Sequence, residues 1–294
     1  MKIERRMKTA LLLSMLVCCA MRTGAMNLKA EEDTLALHYR AIASASVDSI
    51  RIQHSEMMRH RFISLFDEAA TFQHAFTSLR FCTLTSSDGR IRLFNWNVPL
   101  TDGTHKYVCF VLVWDEKEKN YWWTELTEPK REAEKIETKF LTEDKWLGAL
   151  YYEVIPVAKK GSDTYTLLGW DGKDKLTQRK IVDAITITGK KIRIGASIFK
   201  TADGNRKRML FEYSDEVSSS VRYHAKKNCI VIDHLSPKSD AMVGIYADYG
   251  PDGSYDALTL VKGKWEIIEN IDVSQFAEGN DKPFIDPRKG RRRK

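Results

Sequence analysis

The chain has 294 residues, of which 43% are hydrophobic, 30% charged and 10% aromatic, and its formal net charge is +7. This composition excludes a collagen, a coiled-coil rod, a wholly disordered chain and a polytopic membrane protein. A chain of this length buries about 70–75% of its unfolded surface, so it needs neither a disulfide nor a metal ion to fold.

Residues 1–25 have the order of features that is typical of a secretory signal peptide. Four basic residues at positions 2, 5, 6 and 8 precede the twelve-residue run TALLLSMLVCCA, and small residues follow at 23 and 25. The run is shorter than the ~20 apolar residues that span a bilayer. We predict cleavage after Ala25, with Ala20 as the second candidate site. A buried N-terminal helix is the alternative interpretation.

The predicted localisation is therefore outside the cytoplasm, in the periplasm or in association with an outer membrane. A lipoprotein is the less favoured alternative, because the residues before Cys18 and Cys19 do not match the pattern that lipid attachment requires.

The positive charge is concentrated at the two ends of the chain. Residues 1–25 hold five Lys or Arg against one Glu, and the last seven residues, RKGRRRK, hold six, so residues 26–287 carry a net charge of −3. A net negative charge on residues 26–287 is not typical of a nucleic-acid-binding domain. The tail at 274–294 is predicted to be extended; it either contacts anionic lipid or polysaccharide or serves as a solubilising end.

Residues 26–82 are predicted to form an N-terminal helical segment. From Val47 to Leu79, apolar residues recur at steps of three to five, and neither Gly nor Pro interrupts residues 27–88. This amphipathic pattern predicts one long helix, or two helices broken within residues 44–49, packed on the rest of the protein.

Residues 83–273 have the pattern of an antiparallel β domain. Short β-rich runs are separated by turn sequences such as Ser87-Asp88-Gly89, Asp102-Gly103 and Gly189-Lys190. The run KYVCFVLVW is apolar throughout, which predicts a central strand covered on both faces. The fold class is therefore mainly β (α+β): an antiparallel meander that forms a barrel or a sandwich, with a small propeller disfavoured by the lack of a strict repeat.

Two segments within the β domain depart from the pattern of β-rich runs. Residues 127–146 are dense in Glu and Lys, which predicts a short exposed helix or excursion that covers a sheet edge. The sequence GPDGS around Asp252-Gly253 has some of the ligands of a calcium loop but lacks two of them, so we predict a turn there.

No motif for catalysis or cofactor binding is present. The chain lacks the nucleophile elbow GxSxG, HExxH, a P-loop and GxGxxG. Cys229 and His234 fall on opposite faces of a strand unless a bulge intervenes. The histidines at 54, 60 and 74 lack the spacing of a metal pair on one helix face. We therefore predict no catalytic residue, no cofactor and no metal site, and whether the protein is an enzyme stays open, with a non-enzyme favoured.

The cysteines and the acidic residues leave two alternatives open. Cys82 and Cys109 could form a disulfide in an oxidising compartment, which spacing alone does not decide. Carboxylates within the β domain could form the pair that glycoside hydrolysis uses; the candidates are Glu212, Asp215, Asp233 and Asp256.

The aromatic residues are the best indication of a binding site. Trp114 and the run from Tyr121 to Trp123 flank one charged turn, and in a strand Tyr121 and Trp123 share a face while Trp122 takes the other. Exposed aromatic rings stack on sugars or anchor a partner protein, whereas cross-strand pairs would only stabilise the hairpin. The candidate ligand-binding residues are Tyr121, Trp122, Trp123 and Trp170. A shared site requires Trp122 and Trp170 to meet at one end of the β domain.

The phrases LYYEVIPV, YTLLGWDG and GPDGSYDALTLVKGKWE resemble a family of exported bacterial β-rich proteins to which no activity is assigned. The resemblance covers most of residues 83–273 and implies export, without implying any site residue. We expect an envelope protein that acts as a non-enzymatic binding or assembly module, with a glycan or another envelope protein as its partner. A hydrolase of an envelope or dietary glycan is the alternative, and it requires two carboxylates that converge in a cleft. A purely structural role is a third hypothesis.

Overall fold

The computed structural model describes residues 26–129, 135–157 and 163–276. The predicted signal peptide and residues 277–294 of the predicted tail lie outside these ranges. Within them the chain forms two α-helices near its N-terminus followed by fifteen strands. The predicted mainly β fold is confirmed, and its sheets stack as in a sandwich instead of closing into a barrel.

The helices are α1 (Leu28–Ser44) and α2 (Asp48–Leu65). The strands, in chain order, are β1 (Thr83–Thr85), β2 (Ile91–Pro99), β3 (His105–Asp115), β4 (Asn120–Leu126), β5 (Leu150–Pro156), β6 (Thr164–Asp171), β7 (Thr177–Thr188), β8 (Lys191–Ile194), β9 (Phe199–Thr201), β10 (Gly204–Arg206), β11 (Met209–Ser214), β12 (Val221–His224), β13 (Cys229–Pro237), β14 (Tyr249–Val261) and β15 (Lys264–Ile268).

Three sheets and the helical pair form four layers. Sheet 1 has the order β1-β2-β3-β4, sheet 2 the order β11-β7-β6-β5 with β8 also on β7, and sheet 3 the order β10-β9-β15-β14-β13-β12. All strand pairs are antiparallel except β15 with β9. One apolar core lies between the helices and sheet 1, a second between sheets 1 and 2, and a third between sheets 2 and 3. We call them the helix core, the central core and the outer core.

The helical segment begins as predicted and ends earlier than predicted. Asn27 caps α1 by accepting a hydrogen bond from the Ala30 amide at 3.2 Å, and the break between the helices falls within residues 44–49. After Leu65, however, the chain forms only the short 3₁₀ turns Ala69–Phe72 and Thr77–Leu79. In the part of the chain that the structure describes, neither helix is long and apolar enough to cross a bilayer.

Strand β3 is the central strand that its apolar sequence predicted. It pairs with β2 on one side and β4 on the other. Because side chains alternate between the faces of a strand, Cys109 and Val111 enter the central core while Phe110 and Leu112 enter the helix core. The continuous apolar run is thus explained by a sheet that is covered on both faces.

Residues 127–146 are more buried than predicted. The described part of this segment has the 3₁₀ turns Ile136–Thr138 and Glu143–Lys145. Ile136, Leu141 and Trp146 enter the central core, and the backbones of Leu141 and Ile194 exchange hydrogen bonds of 2.8 and 2.9 Å. The segment therefore caps the end of β8, as an edge cover would, but it is anchored by apolar side chains.

The predicted turn at Asp252-Gly253 is wrong, because β14 continues through these residues. The register of β13 against β14 shifts between Asp233 and Leu235, opposite this point. Gly253 has a φ of 92°, which is open mainly to glycine. The turn-favouring residues Asp252 and Gly253 therefore form a bulge within β14 and do not reverse the chain.

The three described cysteines, Cys82, Cys109 and Cys229, are free and buried. Cys82 belongs to the helix core and Cys109 to the central core, so their side chains lie on opposite sides of sheet 1 and do not pair. Burial raises the pKa of Cys82 to about 12 and raises that of Cys109 further. Both thiols therefore stay protonated and behave as small apolar side chains.

Candidate functional site

Tyr121 and Trp123 lie under the end of α2, where their contacts are structural. The Tyr121 hydroxyl donates hydrogen bonds to the carbonyls of Phe66 at 2.8 Å and Glu68 at 3.0 Å. The Trp123 ring lies 5.2 Å from that of Phe66 and 5.8 Å from that of Phe110. These two aromatics hold the helices to sheet 1 and do not form part of a cleft with Trp122.

Trp122 and Trp170 do not meet at one end of the β domain. Trp122 pairs with Val113 near the end of β3, whereas the Trp170 ring lies 5.0 Å from that of His105 at the start of the same strand. His105 and Val113 are separated by about 27 Å, at roughly 3.4 Å per residue of extended strand. Trp122 therefore lines a cleft at one end of the interface between sheets 1 and 2, whereas Trp170 packs beside His105 at the other end.

The Trp122 cleft opens between the two sheets and has a volume of about 470 Å³. It is lined by Arg90, Val113, Trp114, Asp115, Glu116, Lys117, Trp122, Asp163, Ile187, Gly189 and Lys190. Val113 and Trp122 come from sheet 1, and Ile187 comes from sheet 2. An aromatic and apolar base is thus surrounded by charged side chains of both signs.

An ion pair between Arg90 and Asp163 bridges the two sheets at the rim of this cleft. Arg90 Nη2 donates to Asp163 Oδ2 at 2.9 Å, and this hydrogen bond is the largest cause of the raised pKa of Arg90. The side chains are 37% and 39% exposed, so the pair is accessible to a ligand in the cleft. At this exposure the pair adds little to stability.

The Glu128 cleft lies at the other end of the same interface and is smaller, with a volume of about 210 Å³. It is lined by His105, Tyr107, Glu128, Pro129, Ile136, Lys145, Trp146, Leu147, Asp171, Lys173 and Arg179. Asp171 and Arg179 form a buried ion pair with an N–O distance of 2.6 Å. Asp171 also accepts hydrogen bonds from the Tyr107 hydroxyl at 3.0 Å and the Lys173 amide at 2.9 Å. These donors fix the position of the Asp171 carboxylate.

Glu128 is the carboxyl group of this cleft with the most altered acidity. The residue as a whole is exposed, but its carboxyl accepts a hydrogen bond from the Tyr107 amide at 3.2 Å and lies over Gly148, where a Cβ atom would come within 2.3 Å of it. Desolvation by this surrounding protein raises the pKa of Glu128 to about 7, and the charge of Asp171 acts in the same direction. The group therefore exchanges its proton near neutral pH.

The remaining side chains of the Glu128 cleft are held by neighbours. His105 Nδ1 lies 2.9 Å from Asn97 Nδ2, and burial lowers the pKa of His105, which favours its neutral form. Lys173 forms an ion pair with Glu212, which also accepts a hydrogen bond from the Thr177 hydroxyl at 2.9 Å. The cleft is therefore a preorganised polar site.

Three of the four acidic residues predicted as candidates for a carboxylate pair have other partners. Glu212 is paired with Lys173, Asp256 lies 2.9 Å from His234, and Asp233 accepts a hydrogen bond from the Ser220 amide at 2.8 Å. Glu128 and Asp171 share the Glu128 cleft, and Asp115, Glu116 and Asp163 share the Trp122 cleft; none of these five was among the predicted candidates. Asp171 lies in GWDGKD, a run that has the composition of an ordinary turn.

Cys229 and His234, predicted to lie on opposite faces of a strand unless a bulge intervenes, do not form a thiol–imidazole pair, because the His234 ring lies 2.9 Å from Asp256. The register places His224, and not His234, directly opposite Cys229. Burial raises the pKa of the Cys229 thiol, which disfavours the thiolate that a nucleophile requires.

The fold and these clefts define a layered β protein with two polar clefts at the ends of one sheet–sheet interface. Among residues 26–129, 135–157 and 163–276, no group of three His, Cys, Asp or Glu side chains could hold a metal ion. No family model, curated protein or solved structure matches the chain. The resemblance to an exported bacterial family therefore stays a prediction.

Proposed function

We propose that the protein is exported and acts as a non-enzymatic binding module of a bacterial envelope, with a saccharide bound in the Trp122 cleft. The observation that carries the proposal is Trp122 itself, because it lines a cleft whereas Tyr121 and Trp123 pack under the helices. The features of residues 1–25 support export.

The chemistry of the Trp122 cleft suits a sugar. An indole ring packs against the apolar face of a pyranose, and the surrounding polar groups satisfy its hydroxyls. Asp163 and Asp115 supply acceptors, and Arg90 supplies donors, on the rim of the cleft. Its volume of about 470 Å³ falls within the range of ~300–1,000 Å³ that small-molecule sites have.

Replacing Trp122 with Ala is expected to weaken saccharide binding at least about tenfold, or ~1.4 kcal/mol, because the stacking surface is lost. The ligand is first selected on a glycan array with the mature chain, and its affinity is then measured by isothermal titration calorimetry. Trp122→Phe is expected to retain most of the affinity, and Tyr246→Ala, at an exposed aromatic elsewhere, all of it. An array without any bound glycan, or equal affinity of Trp122→Ala, contradicts the proposal.

A hydrolase of an envelope or dietary glycan is the second candidate function, and the Glu128 cleft is the observation that favours it. A protonated Glu128 would give its proton to the glycosidic oxygen as the bond to the anomeric carbon breaks, and water would add its hydroxyl group to that carbon and return its other proton to Glu128. Asp171, fixed by Arg179 and Tyr107, would stabilise the positive charge that develops on the sugar ring.

If Glu128 is a general acid, hydrolysis of aryl glycosides falls as the pH rises through about 7, because the acid loses its proton there. Glu128→Gln is then expected to lower the rate at least about 100-fold, while Trp122→Ala keeps the pH profile unchanged. Absence of hydrolysis by the unmodified protein, or full activity of Glu128→Gln, rules out this candidate and leaves the binding module.

A further inference from the structure

A third cleft lies between sheets 2 and 3, away from both clefts described above. It has a volume of about 490 Å³ and is formed where β5 and β7 face the start of β12. Tyr152 and Lys180 come from sheet 2, and Ser219 and Arg222 come from the chain leading into and along β12. We call it the Lys180 cleft.

Lys180 is a half-buried cation for which the described chain provides no ion-pair partner. Its ammonium group lies 5.3 Å from the centre of the Tyr152 ring, and its side chain makes no hydrogen bond or ion pair with any described residue. Desolvation lowers the pKa of Lys180, and the Arg222 charge lowers it further, while Asp233 acts in the opposite direction. Holding an ammonium group there is unfavourable for the isolated protein.

The Ser219 hydroxyl is a second, independent indication of an absent partner. Ser219 is only 7% exposed, and its Oγ makes no hydrogen bond with any residue that the structure describes. Buried polar groups without a partner are rare, because each one loses its hydrogen bonds to water. Ser219 lines the same cleft as Lys180.

The neighbouring groups are already fixed, so they keep the cleft open. The Tyr152 hydroxyl donates to the Val221 carbonyl at 2.9 Å, and the Ser220 amide donates to Asp233 Oδ2 at 2.8 Å. These two hydrogen bonds hold β5 and β13 against the segment that carries Ser219. An unpaired cation and an unpaired hydroxyl therefore lie in a preformed cleft.

We propose that the Lys180 cleft binds a singly charged carboxylate ligand of monosaccharide size, such as a uronic acid. The Lys180 ammonium, the Arg222 guanidinium and the Ser219 hydroxyl donate to the carboxylate, and the sugar ring lies against Tyr152. Lys180 and Arg222 together exceed Asp233 by one positive charge, so the cleft matches a monoanion better than a dianionic phosphate. The site is separate from the Trp122 cleft and does not depend on the function proposed for it.

The test uses isothermal titration calorimetry of the mature chain with D-glucuronate, with D-glucose as the neutral match and inorganic phosphate as the dianion. Glucuronate is expected to bind, and the other two to bind at least tenfold more weakly. Lys180→Met is expected to weaken glucuronate binding at least tenfold, and Ser219→Ala to weaken it by a smaller factor. Lys191→Met, at an exposed lysine on β8, is the matched control and is expected to leave binding unchanged.

Three results would overturn the proposal: no binding of glucuronate, equal binding of glucose or phosphate, or equal affinity of Lys180→Met and the unmodified protein. Thermal unfolding checks that each variant folds. If Lys180→Met does not fold, Arg222→Gln replaces it, because Arg222 is exposed and its loss leaves the sheets intact. Trp122→Ala keeps glucuronate affinity, which separates this site from the Trp122 cleft.

Discussion

Replacing Asp183 with Ala is expected to destabilise the protein by about 3–5 kcal/mol, because it leaves the charge of Arg208 buried without its partner. Both side chains are completely buried, and Arg208 Nε lies 3.1 Å from Asp183 Oδ1. The burial of Asp183 raises its pKa, and the Arg208 charge opposes that rise. Urea denaturation of the unmodified protein and the variant measures the difference in the free energy of unfolding.

The pair also joins sheet 2 to the segment that covers its edge. Arg208 donates to the carbonyls of Ile136 and Lys139, the latter at 3.0 Å. Asp183 Oδ2 and Arg208 Nη2 have no hydrogen-bond partner among the described residues. A buried network that is only partly satisfied is costly, so replacing both charges together is less damaging than replacing one.

The double variant Asp183→Leu with Arg208→Met is therefore expected to be more stable than either single replacement. Glu116→Ala is the control, since its pair with Lys119 is more than 70% exposed on both sides and is worth at most about 1 kcal/mol. If Asp183→Ala lowers the free energy of unfolding by less than about 1 kcal/mol, Arg208 does not depend on Asp183 to compensate its buried charge.

The strands of sheet 1 were predictable because their signals are local. Asp102-Gly103 and the charged residues after Asp115 reverse the chain within a few positions, and each reversal is present as a hairpin. The apolar run of β3 predicted its central position, because only a strand covered on both faces lacks alternation. Neither signal depends on how distant parts of the chain meet.

The end of the helical segment could not be predicted from the spacing of its apolar residues. Phe72, Phe76 and Leu79 follow one another at steps of three and four, as on a helix, and all three are buried. The chain nevertheless leaves the helix after Leu65, and Phe76 has a left-handed φ of 48°. Burial against sheet 1 overrides the local preference, and two short turns present the same apolar face as a helix would.

The clefts could not be predicted from the sequence, because they form only where two sheets pack together. The alternation of side chains along a strand correctly placed Trp122 on the opposite face from Tyr121 and Trp123. Because both faces of sheet 1 are covered, the alternation does not predict which face opens onto a cleft. Glu128 and Asp171 lie far apart along the chain and meet because Tyr107 contacts both, through its amide and its hydroxyl. No spacing rule encodes such a contact between strands of two sheets.

Replacing Phe62 with Ala is expected to destabilise the protein by about 3–5 kcal/mol, because it opens a cavity in the middle of the helix core. Phe62 is completely buried in α2. Its ring lies 5.9 Å from Phe66, 6.0 Å from Phe76, 5.0 Å from Phe94 and 5.6 Å from Trp96. The helix, the turn after it and β2 all lose contacts at once.

The same replacement shows whether the helices are an integral layer of the fold. Phe81→Ala is the control, since Phe81 is 68% exposed and its loss should change stability by less than about 0.5 kcal/mol. Urea denaturation is followed by tryptophan fluorescence, to which Trp96, whose indole donates to Ser55 in α2 at 2.8 Å, contributes together with the other six tryptophans. A single cooperative transition at lower urea is expected for Phe62→Ala, because sheet 1 cannot keep its apolar face in water. If the helices melt first while the sheets unfold at the original urea concentration, the helical layer is only an accessory to the β domain.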